Sequence, residues 1–248
     1  MVMAVSSEVA ARSRRMGQSP NGETRWYTEF IGEKPQKLED RPESNLVEMG
    51  ANQTVMPHFH QVNQFQIMTN GSGSLGRGGL SLVALHYTDH NTAYGPIKSG
   101  PYGLCLFTIR AQCDPSATYL HQPGYREALR PSKQRYILSE NIRLSVPAVM
   151  QNRVETVLED LLDPAIDVSD GLGAHMLRMG AGARFTGPDP RATGGQYYMV
   201  LSGSLEYGGA SYPAWSMLFT GRTEEAPEVA AGAAGVEALL LHFPRPET

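Results

Sequence analysis

Residues 57–71 read PHFHQVNQFQIMTNG, and this stretch decides the fold class. Two histidines separated by one residue lead into a run of strand character that ends at a glycine. Residues two apart on an extended strand project to one face, so the imidazoles of His58 and His60 can reach one ion. Gln64 keeps the same parity and offers an amide oxygen. The stretch therefore predicts a metal site carried on strands.

A further histidine follows after one predicted hairpin. His86 lies on the predicted strand at residues 80–87, which a turn through residues 72–79 would fold back onto the first strand. His90 has the same parity but lies where that strand is expected to end. The predicted metal ligands are therefore His58, His60, Gln64 and His86, with His90 as the alternative third nitrogen.

Short apolar runs between Gly and Pro clusters continue from residue 25 onward, which is typical of an all-β sandwich or barrel. We predict strands at residues 64–69, 80–87, 104–110, 134–138, 175–179, 196–201 and 238–243. One segment between residues 152 and 163 has helical spacing instead, with apolar residues Val154, Val157, Leu158, Leu161 and Leu162. That pattern predicts a short linking helix.

An internal repeat divides the chain. Residues 64–73 align with residues 196–205, a Gln followed by six residues and a Gly in both, at an offset of 132 residues. A period this long indicates two related domains rather than a solenoid. We expect a flexible segment at 1–24, an N-terminal barrel with the metal site at 25–150, and the linker helix with a second barrel at 151–248.

The second repeat lacks the histidine pair. The same offset places Pro190 opposite His58 and Ala192 opposite His60, and only Gln196 is kept. We therefore expect the second barrel to be degenerate, without a metal, and to serve packing, dimerisation or a binding surface.

The first repeat resembles the cupin superfamily. The first motif of that family is Gly, five residues, His-x-His, three or four residues, Glu, six residues, Gly. Here His58, His60, Gln64 and Gly71 take the matching positions, with Gln in place of Glu, and Asn52 stands at the opening Gly position.

The second cupin motif fits less well. It reads Gly, five residues, Pro-x-Gly, two residues, His, three residues, Asn. With His86 as its His, the Pro position holds Ser81, the Gly position holds Val83 and the Asn position holds His90. The third histidine ligand is thus the weakest part of the match.

The resemblance covers most of residues 25–246 and implies a bicupin. Its fold class would be all-β, with two cupin-like β-barrels of the double-stranded β-helix, jelly-roll type joined by a short helical segment. The cofactor implied is one divalent metal ion, with iron expected first and manganese, nickel, zinc and copper as alternatives, since imidazole and amide ligands suit several metals.

The ligand set predicts chemistry on anions. Three neutral imidazoles and a neutral amide leave the charge of a divalent ion uncompensated, which favours an organic anion as substrate. The first hypothesis is an oxygenase that acts on a small organic anion chelated to the metal. The second is a non-redox lyase, isomerase or cyclase acting on an enolisable carbonyl compound. The third is a small-molecule-binding bicupin without catalysis.

Three side chains are candidate catalytic residues, namely Gln64, Gln66 and Tyr94. Gln66 and Tyr94 could orient a substrate by hydrogen bonds, while Met68 could supply an apolar wall. The alternatives are that Met68 only fills the core and that Tyr94 only anchors a turn.

Composition excludes other classes of function. The 248 residues carry 21 Lys and Arg against 25 Asp and Glu, without a basic run, so no nucleic-acid partner is expected. No apolar stretch is long enough for a bilayer span, and the N-terminus has no secretory pattern. Cys105 and Cys113 fit no disulfide framework and are read as buried thiols. We expect a soluble cytoplasmic homodimer with a small-molecule substrate.

Overall fold

The structure is a computed structural model that describes residues 1–19, 21–33, 36–139 and 142–246. Up to residue 142 its elements are β1 (Val2–Val5), α1 (Ser7–Ala10), β2 (Arg15–Gln18), β3 (Thr24–Ile31), β4 (Glu43–Met49), β5 (Thr54–Val55), β6 (His58–Phe59), β7 (Gln64–Leu75), β8 (Gly78–Leu80), β9 (Ala84–Thr88), β10 (Ile97–Arg110), β11 (Thr118–Tyr119), α2 (Tyr125–Ala128) and β12 (Tyr136–Ser139). Beyond it they are α3 (Pro147–Gln151), β13 (Val157–Asp160), β14 (Gly173–Met179), β15 (Arg184–Thr186), β16 (Gln196–Tyr207), β17 (Ala210–Pro213), β18 (Met217–Thr220) and β19 (Glu228–His242). The predicted all-β class is confirmed.

The chain forms two compact units. The N-terminal unit is Arg12–Ile142, and the C-terminal unit is Met1–Ala11 together with the chain from Arg143 onward. These limits differ from the predicted boundaries after residues 24 and 150.

The first residues of the chain are an edge strand of the C-terminal unit. β1 pairs antiparallel with β18, with Val2 opposite Thr220 and Val5 opposite Met217. α1 follows, and the hydroxyl of Ser6 caps it by accepting a hydrogen bond from the Val9 amide at 3.2 Å. The prediction of a flexible segment at 1–24 is wrong because the partner strand of β1 lies near the other end of the sequence.

The N-terminal unit is built around one large sheet of order β12-β9-β7-β10-β4-β3-β2. β5 pairs with β10, β8 pairs with β7, and β11 and β6 form a separate pair. Side chains alternate between the faces of a strand, so Gln64, Gln66 and Met68 share one face of β7. Met68 belongs to a buried core with Met49, Leu75, Leu80, Ala84, Tyr94, Ile97, Leu104 and Leu106. Polar residues therefore continue the same face on which this core is built.

The C-terminal unit has a sheet of order β1-β18-β16-β19-β14-β13, with β15 on β19 and β17 on β16. Its core includes Leu177, Tyr198, Val200, Leu218, Val236, Ala238 and Leu240. The helix predicted between residues 152 and 163 is wrong: β13 occupies Val157–Asp160 and pairs with β14, and Val154 is 93% exposed. A short apolar run fits both the helical and the strand period. Here the run forms a strand because it pairs with the free edge of β14.

The pairing register supports the predicted duplication. Gln64 lies opposite Thr88 and Gln196 lies opposite Thr220, while Phe65 pairs with Ile109 and Tyr197 pairs with Leu241. Every position in the first set recurs 132 residues later in the second. The repeat read from one strand and one glycine thus extends across three neighbouring strands of each unit.

The repeated glycines are required by backbone contact. Gly71 and Gly203 have φ of 82° and 74°, a left-handed conformation that favours glycine. A Cβ at Gly71 would lie 2.2 Å from the carbonyl oxygen of Gly103, and one at Gly203 would lie 2.0 Å from that of Gly235. Both sites keep the bulged strands in close approach.

Among the described helices, none has the length and apolar character needed to cross a membrane.

Candidate metal and substrate site

Four neighbouring strands of the N-terminal unit place polar side chains in two adjacent rows, one through Gln66 and one through Gln64. β9 and β7 set His86 opposite Gln66. β10 and β7 pair Ile109 with Phe65, so the next residue, Arg110, lies beside Gln64. On the far side of β10, Arg110 lies opposite Glu43 of β4.

The histidine pair approaches these rows from a separate two-stranded sheet, β6 with β11. His58 lies on β6, opposite Tyr119 of β11. It also forms an isolated bridge with Tyr94, in which the His58 amide donates to the Tyr94 carbonyl at 3.1 Å and the Tyr94 amide donates back at 3.0 Å. Tyr94 is thereby fixed beside His58.

The Tyr94 hydroxyl is the point on which the predicted site residues converge. Its ring centroid lies 4.4 Å from that of His58, 5.0 Å from that of His86 and 6.5 Å from that of His60. The hydroxyl oxygen lies 2.8 Å from Nε2 of His58 and accepts a hydrogen bond from the Gln64 amide nitrogen. The structure thus brings together four residues widely spaced in sequence.

Hydrogen bonds define the protonation of His58. Its Nδ1 lies 2.8 Å from the Met56 carbonyl, which can only accept, so Nδ1 carries the proton. Burial lowers the pKa of His58 to about 4, so the ring is neutral and Nε2 keeps a lone pair. The Tyr94 hydroxyl donates to that lone pair. Burial raises the pKa of Tyr94, which keeps the phenol protonated in this arrangement.

His60 is held between a carboxylate and a guanidinium. Its Nδ1 lies 3.1 Å from Oδ2 of Asp114, while Nη2 of Arg110 lies 3.2 Å from Nε2. Burial and the Arg110 charge lower the pKa of His60 to about 3. Burial opposes ionisation of Asp114, but hydrogen bonds from His60 and two backbone amides keep its pKa below the usual value. Nδ1 therefore donates to Asp114, and Nη2 of Arg110 lies against both ring nitrogens, 3.1 Å from Nδ1 and 3.2 Å from Nε2.

Of the three histidines, only His86 has an Nε2 atom without a hydrogen-bond partner among the described residues. Its Nδ1 bonds Oε1 of Gln66 at 2.9 Å, and burial lowers its pKa to about 3. Within the described part of the chain, the buried Nε2 has no hydrogen-bond partner. Leaving such an acceptor unsatisfied costs about 1–3 kcal/mol, so the atom is suited to a ligand. The alternative, His90, is instead bonded through Nδ1 to the side chain of Asn91 at 2.9 Å.

Arg110 binds the side-chain oxygen of Gln64, which the sequence analysis predicts to be a metal ligand. Its Nε and Nη2 donate to Oε1 of Gln64 at 3.0 and 2.9 Å. Nη1 donates to Glu43 and lies 3.4 Å from the Asp114 carbonyl. The expected role of Gln64 as a ligand is not the one seen here, because the amide turns its oxygen to Arg110 and its nitrogen to Tyr94. Sequence reasoning missed Arg110, whose only signal is a charge that ends the apolar run at 104–110.

A small apolar pocket adjoins His86, with a volume of about 10 Å³ that suffices for about one water molecule. It is lined by Gln66, Met68, Leu75, Leu80, Ala84, His86, Ile97 and Leu106. Met68 therefore belongs both to the core and to this pocket. Near His58 a more open depression is lined by Asn21, Arg25, Thr54, Val55, Met56, Tyr119, His121 and Gln122.

The side chains do not form a ligand cage as they stand. In the ranges that the structure describes, no three His, Cys, Asp or Glu side chains are arranged to hold an ion. The donor chemistry nevertheless fits a divalent transition metal, since three neutral imidazoles lie around the ring of Tyr94 and Nε2 of His86 has no partner among the described residues. Binding at this place requires Tyr94 and Arg110 to release the lone pairs of His58 and His60.

The C-terminal unit repeats part of the row without its charges. Gln196 lies between Thr220 and His242, the position equivalent to Arg110. The Gln196 amide donates to the Pro188 carbonyl at 3.2 Å. Its Oε1 and the buried Nε2 of His242 have no partner among the described residues. Pro190–Ala192, opposite the His58–His60 pair, is a short 3-10 turn that brings no imidazole.

Comparison with known proteins identifies the architecture. No family profile and no curated protein sequence matches the chain. Three solved structures that do match are a protein of Nostoc punctiforme proposed to be a dioxygenase, at TM-score 0.65 and 11% identity over 100% of this chain and 84% of that one; the pirin YhhW of Escherichia coli in complex with nickel(II), at 0.56 and 13% over 99% and 100%; and the oxalate decarboxylase of Lactobacillus farciminis in a formate complex, at 0.54 and 10% over 98% and 86%. The chain therefore shares the all-β fold of these structures, in agreement with the fold class predicted from residues 57–71.

Proposed function

We propose that the N-terminal unit is a metal-dependent cupin enzyme that acts on a small organic anion. The observation that carries this proposal is the position of three neutral imidazoles, those of His58, His60 and His86, around the ring of one buried tyrosine, Tyr94. The vacant Nε2 of His86 adds an unsatisfied donor atom at the same place. Iron is the first candidate, and manganese, nickel, zinc and copper are the alternatives.

The three histidines would hold the ion, and their neighbours set which nitrogen is offered. The Met56 carbonyl, the Asp114 carboxylate and the Gln66 amide oxygen each bind Nδ1 of one ring. Outer contacts of this kind fix the tautomer and leave Nε2 as the ligating atom. When bound, a divalent ion supplies a Lewis acid that polarises an oxygen ligand.

The remaining residues would bind and orient the substrate. The apolar side chains beside Met68 enclose only about 10 Å³, so a carbon skeleton would enter there only after these side chains move apart. Arg110 is saturated by Gln64, Glu43 and His60, so its role is to position these groups rather than to clamp an anion. The anion would instead be attracted by the net positive charge of the occupied metal site.

Oxygenase chemistry is the first form of this proposal. The solved structures with this fold include a protein proposed to be a dioxygenase, a nickel-bound pirin and a decarboxylase in complex with formate. The last supports the alternative, a non-redox lyase, isomerase or cyclase acting on an enolisable carbonyl compound. A non-catalytic small-molecule-binding bicupin is the third possibility.

Oxygen uptake separates the first two reactions. The protein loaded with ferrous ion would be assayed for oxygen consumption with a panel of enolates, phenols and keto acids. Oxygen consumed in proportion to product supports the oxygenase. Turnover of the same compounds by zinc-loaded protein without oxygen would replace it with the non-redox reaction. Ligand binding without turnover under either condition would support the third possibility, a non-catalytic binding protein.

The ligand set predicts selective loss of metal. His58→Ala and His60→Ala are each expected to abolish metal retention, since each removes one of three imidazoles. Gln64→Glu is expected to retain the metal, because the new carboxylate faces Arg110, and to change the rate or the substrate preference. Elemental analysis of the purified variants measures this.

A control histidine outside the site sharpens that experiment. His121→Ala changes an exposed residue and should leave the metal content at the wild-type value. Full metal content in the His58→Ala, His60→Ala double variant would refute the site.

Sedimentation of the wild-type protein separately tests the expected homodimer.

A further inference from the structure

We propose that the open depression of the N-terminal unit is a binding site for a small organic carboxylate, with Arg25 as its anchor. The depression is lined by Asn21, Arg25, Thr54, Val55, Met56, Tyr119, His121 and Gln122. The inference goes beyond the proposed metal chemistry, because the carboxylate would be held by hydrogen bonds from side chains and needs no ion.

Arg25 projects from the sheet into the interior of the N-terminal unit. It lies on β3 directly opposite Met49 of β4, and Met49 belongs to the buried core. Directly opposite residues on neighbouring strands share a face, so the guanidinium is directed inward. Arg25 is 5% exposed. A charged group is buried at tolerable cost only where the protein or a ligand supplies its partners.

The protein bonds two of the three guanidinium nitrogens of Arg25. Nε donates to Oε1 of Gln53 at 3.3 Å, while Nη2 donates to Oε2 of Glu23 at 2.6 Å and to the Thr54 carbonyl at 3.5 Å. Among the described residues, none bonds Nη1. The other buried guanidinium, that of Arg110, has all three nitrogens bonded. Nη1 of Arg25 is therefore a donor available to a ligand.

The space beside Arg25 is large enough for a ring. The depression has a volume of about 140 Å³, and an engineered cavity of about 150 Å³ binds one benzene molecule. Val55, Met56 and the ring of Tyr119 supply apolar wall, and the amide of Gln122 supplies a further donor. A ligand with a ring-sized carbon skeleton and one oxygen-rich end matches this lining.

The charges at the depression decide which oxygen-rich group binds. Glu23 is held on Nη2 of Arg25, and its other oxygen accepts the Thr54 amide at 3.3 Å, so it is fixed away from Nη1. The fork of a guanidinium matches a carboxylate, and a hydrogen bond between two charged groups is about twice as strong as a neutral one. A carboxylate ligand is therefore favoured over a neutral carbonyl, although the charge of Glu23 weakens its binding.

Benzoate is the probe, titrated into the purified chain by calorimetry. A chelator is present, so that no metal ion contributes to binding. We expect one saturable site for benzoate and weaker binding of benzamide, the neutral molecule of the same shape. Arg25→Gln should weaken benzoate binding roughly tenfold or more, the loss expected when a hydrogen bond to a charged group is removed.

A second variant guards against loss of binding through misfolding. Glu23→Gln removes the carboxylate that competes for the charge of Arg25, so it should tighten benzoate binding, a gain that a misfolded protein does not give. The matched control is Arg41→Gln. Arg41 pairs with Glu39 two residues earlier at 2.6 Å, as Arg25 pairs with Glu23, but it does not line the depression. Its loss should leave benzoate affinity unchanged.

The outcomes are independent of the proposed metal site. The inference fails if millimolar benzoate gives no saturable binding, if benzamide binds as tightly as benzoate, or if Arg25→Gln binds benzoate as well as the wild type does. It also fails if Glu23→Gln weakens binding. Each of these results leaves the metal proposal standing, because metal retention is measured by elemental analysis without benzoate. Loss of the metal proposal would in turn leave the carboxylate site standing.

Discussion

Replacing Arg110 by methionine is expected to destabilise the N-terminal unit by about 3–5 kcal/mol, the usual cost of removing one partner of a buried ion pair. The Arg110 side chain is 7% exposed and pairs with Glu43, which is 6% exposed. Burial already raises the pKa of Glu43 and the Arg110 charge opposes this effect. Without Arg110, the carboxyl group would be buried without its main counter-charge, and Gln64 and His60 would lose a shared donor.

The measurement is urea unfolding followed by tryptophan fluorescence. Trp26 and Trp215 are the two tryptophans, one in each unit, so a Trp215→Phe background makes the signal report on the N-terminal unit. The matched control is the double variant Glu43→Gln, Arg110→Met, which removes both charges and should recover much of the loss. A loss below about 1 kcal/mol in the single variant would show that the pair is not desolvated as described.

Acid is expected to unfold the N-terminal unit well before its carboxylates are protonated. The folded pKa values of His58, His60 and His86 lie at about 4, 3 and 3, below the unfolded value of about 6.5. Between those values the unfolded chain binds more protons than the folded one. Stability is therefore complete above about pH 6.5 and is lost as the pH falls through this window, by up to about 4 kcal/mol per pH unit for the three rings together.

One variant isolates a single ring in this effect. His86→Gln replaces a titrating group with a neutral one and should reduce the slope of unfolding free energy against pH by about 1.4 kcal/mol per pH unit. The explanation would be wrong if the slope of His86→Gln equalled that of the wild type between about pH 6 and pH 4.5.

The local features of this fold could be read from the sequence. Gln64 and Gly71 recur as Gln196 and Gly203 because a strand and the left-handed turn that follows it are specified by adjacent residues. The β7–β9 hairpin that sets His86 opposite Gln66 was predictable for the same reason. The fold-back of the strand that carries His86 and the repeat at an offset of 132 residues were therefore predicted from the sequence, whereas the register of the strands comes from the structure.

The rest depends on pairings between distant segments. Arg110 meets Gln64 only because β10 lies between β4 and β7, and no local pattern encodes that order. Tyr94 reaches His58 by an isolated bridge from a loop. β13 was mistaken for a helix because four residues at an edge carry no clear period. The site could thus be located from its histidines, but the groups that occupy their lone pairs could not.

The pairing of β1 with β18 means that the C-terminal unit can be completed during synthesis only after both of these distant segments have been made. The four residues Val2–Val5 are synthesised before residues 6–216, whereas their partners Met217–Thr220 are synthesised after them. In the meantime a short apolar strand stays unpaired while the N-terminal unit folds behind it, which is a period of exposure to aggregation or to a chaperone. A tag or a leader fused to Met1 would thus hinder folding of the C-terminal unit, although most of that unit follows residue 142 in the sequence.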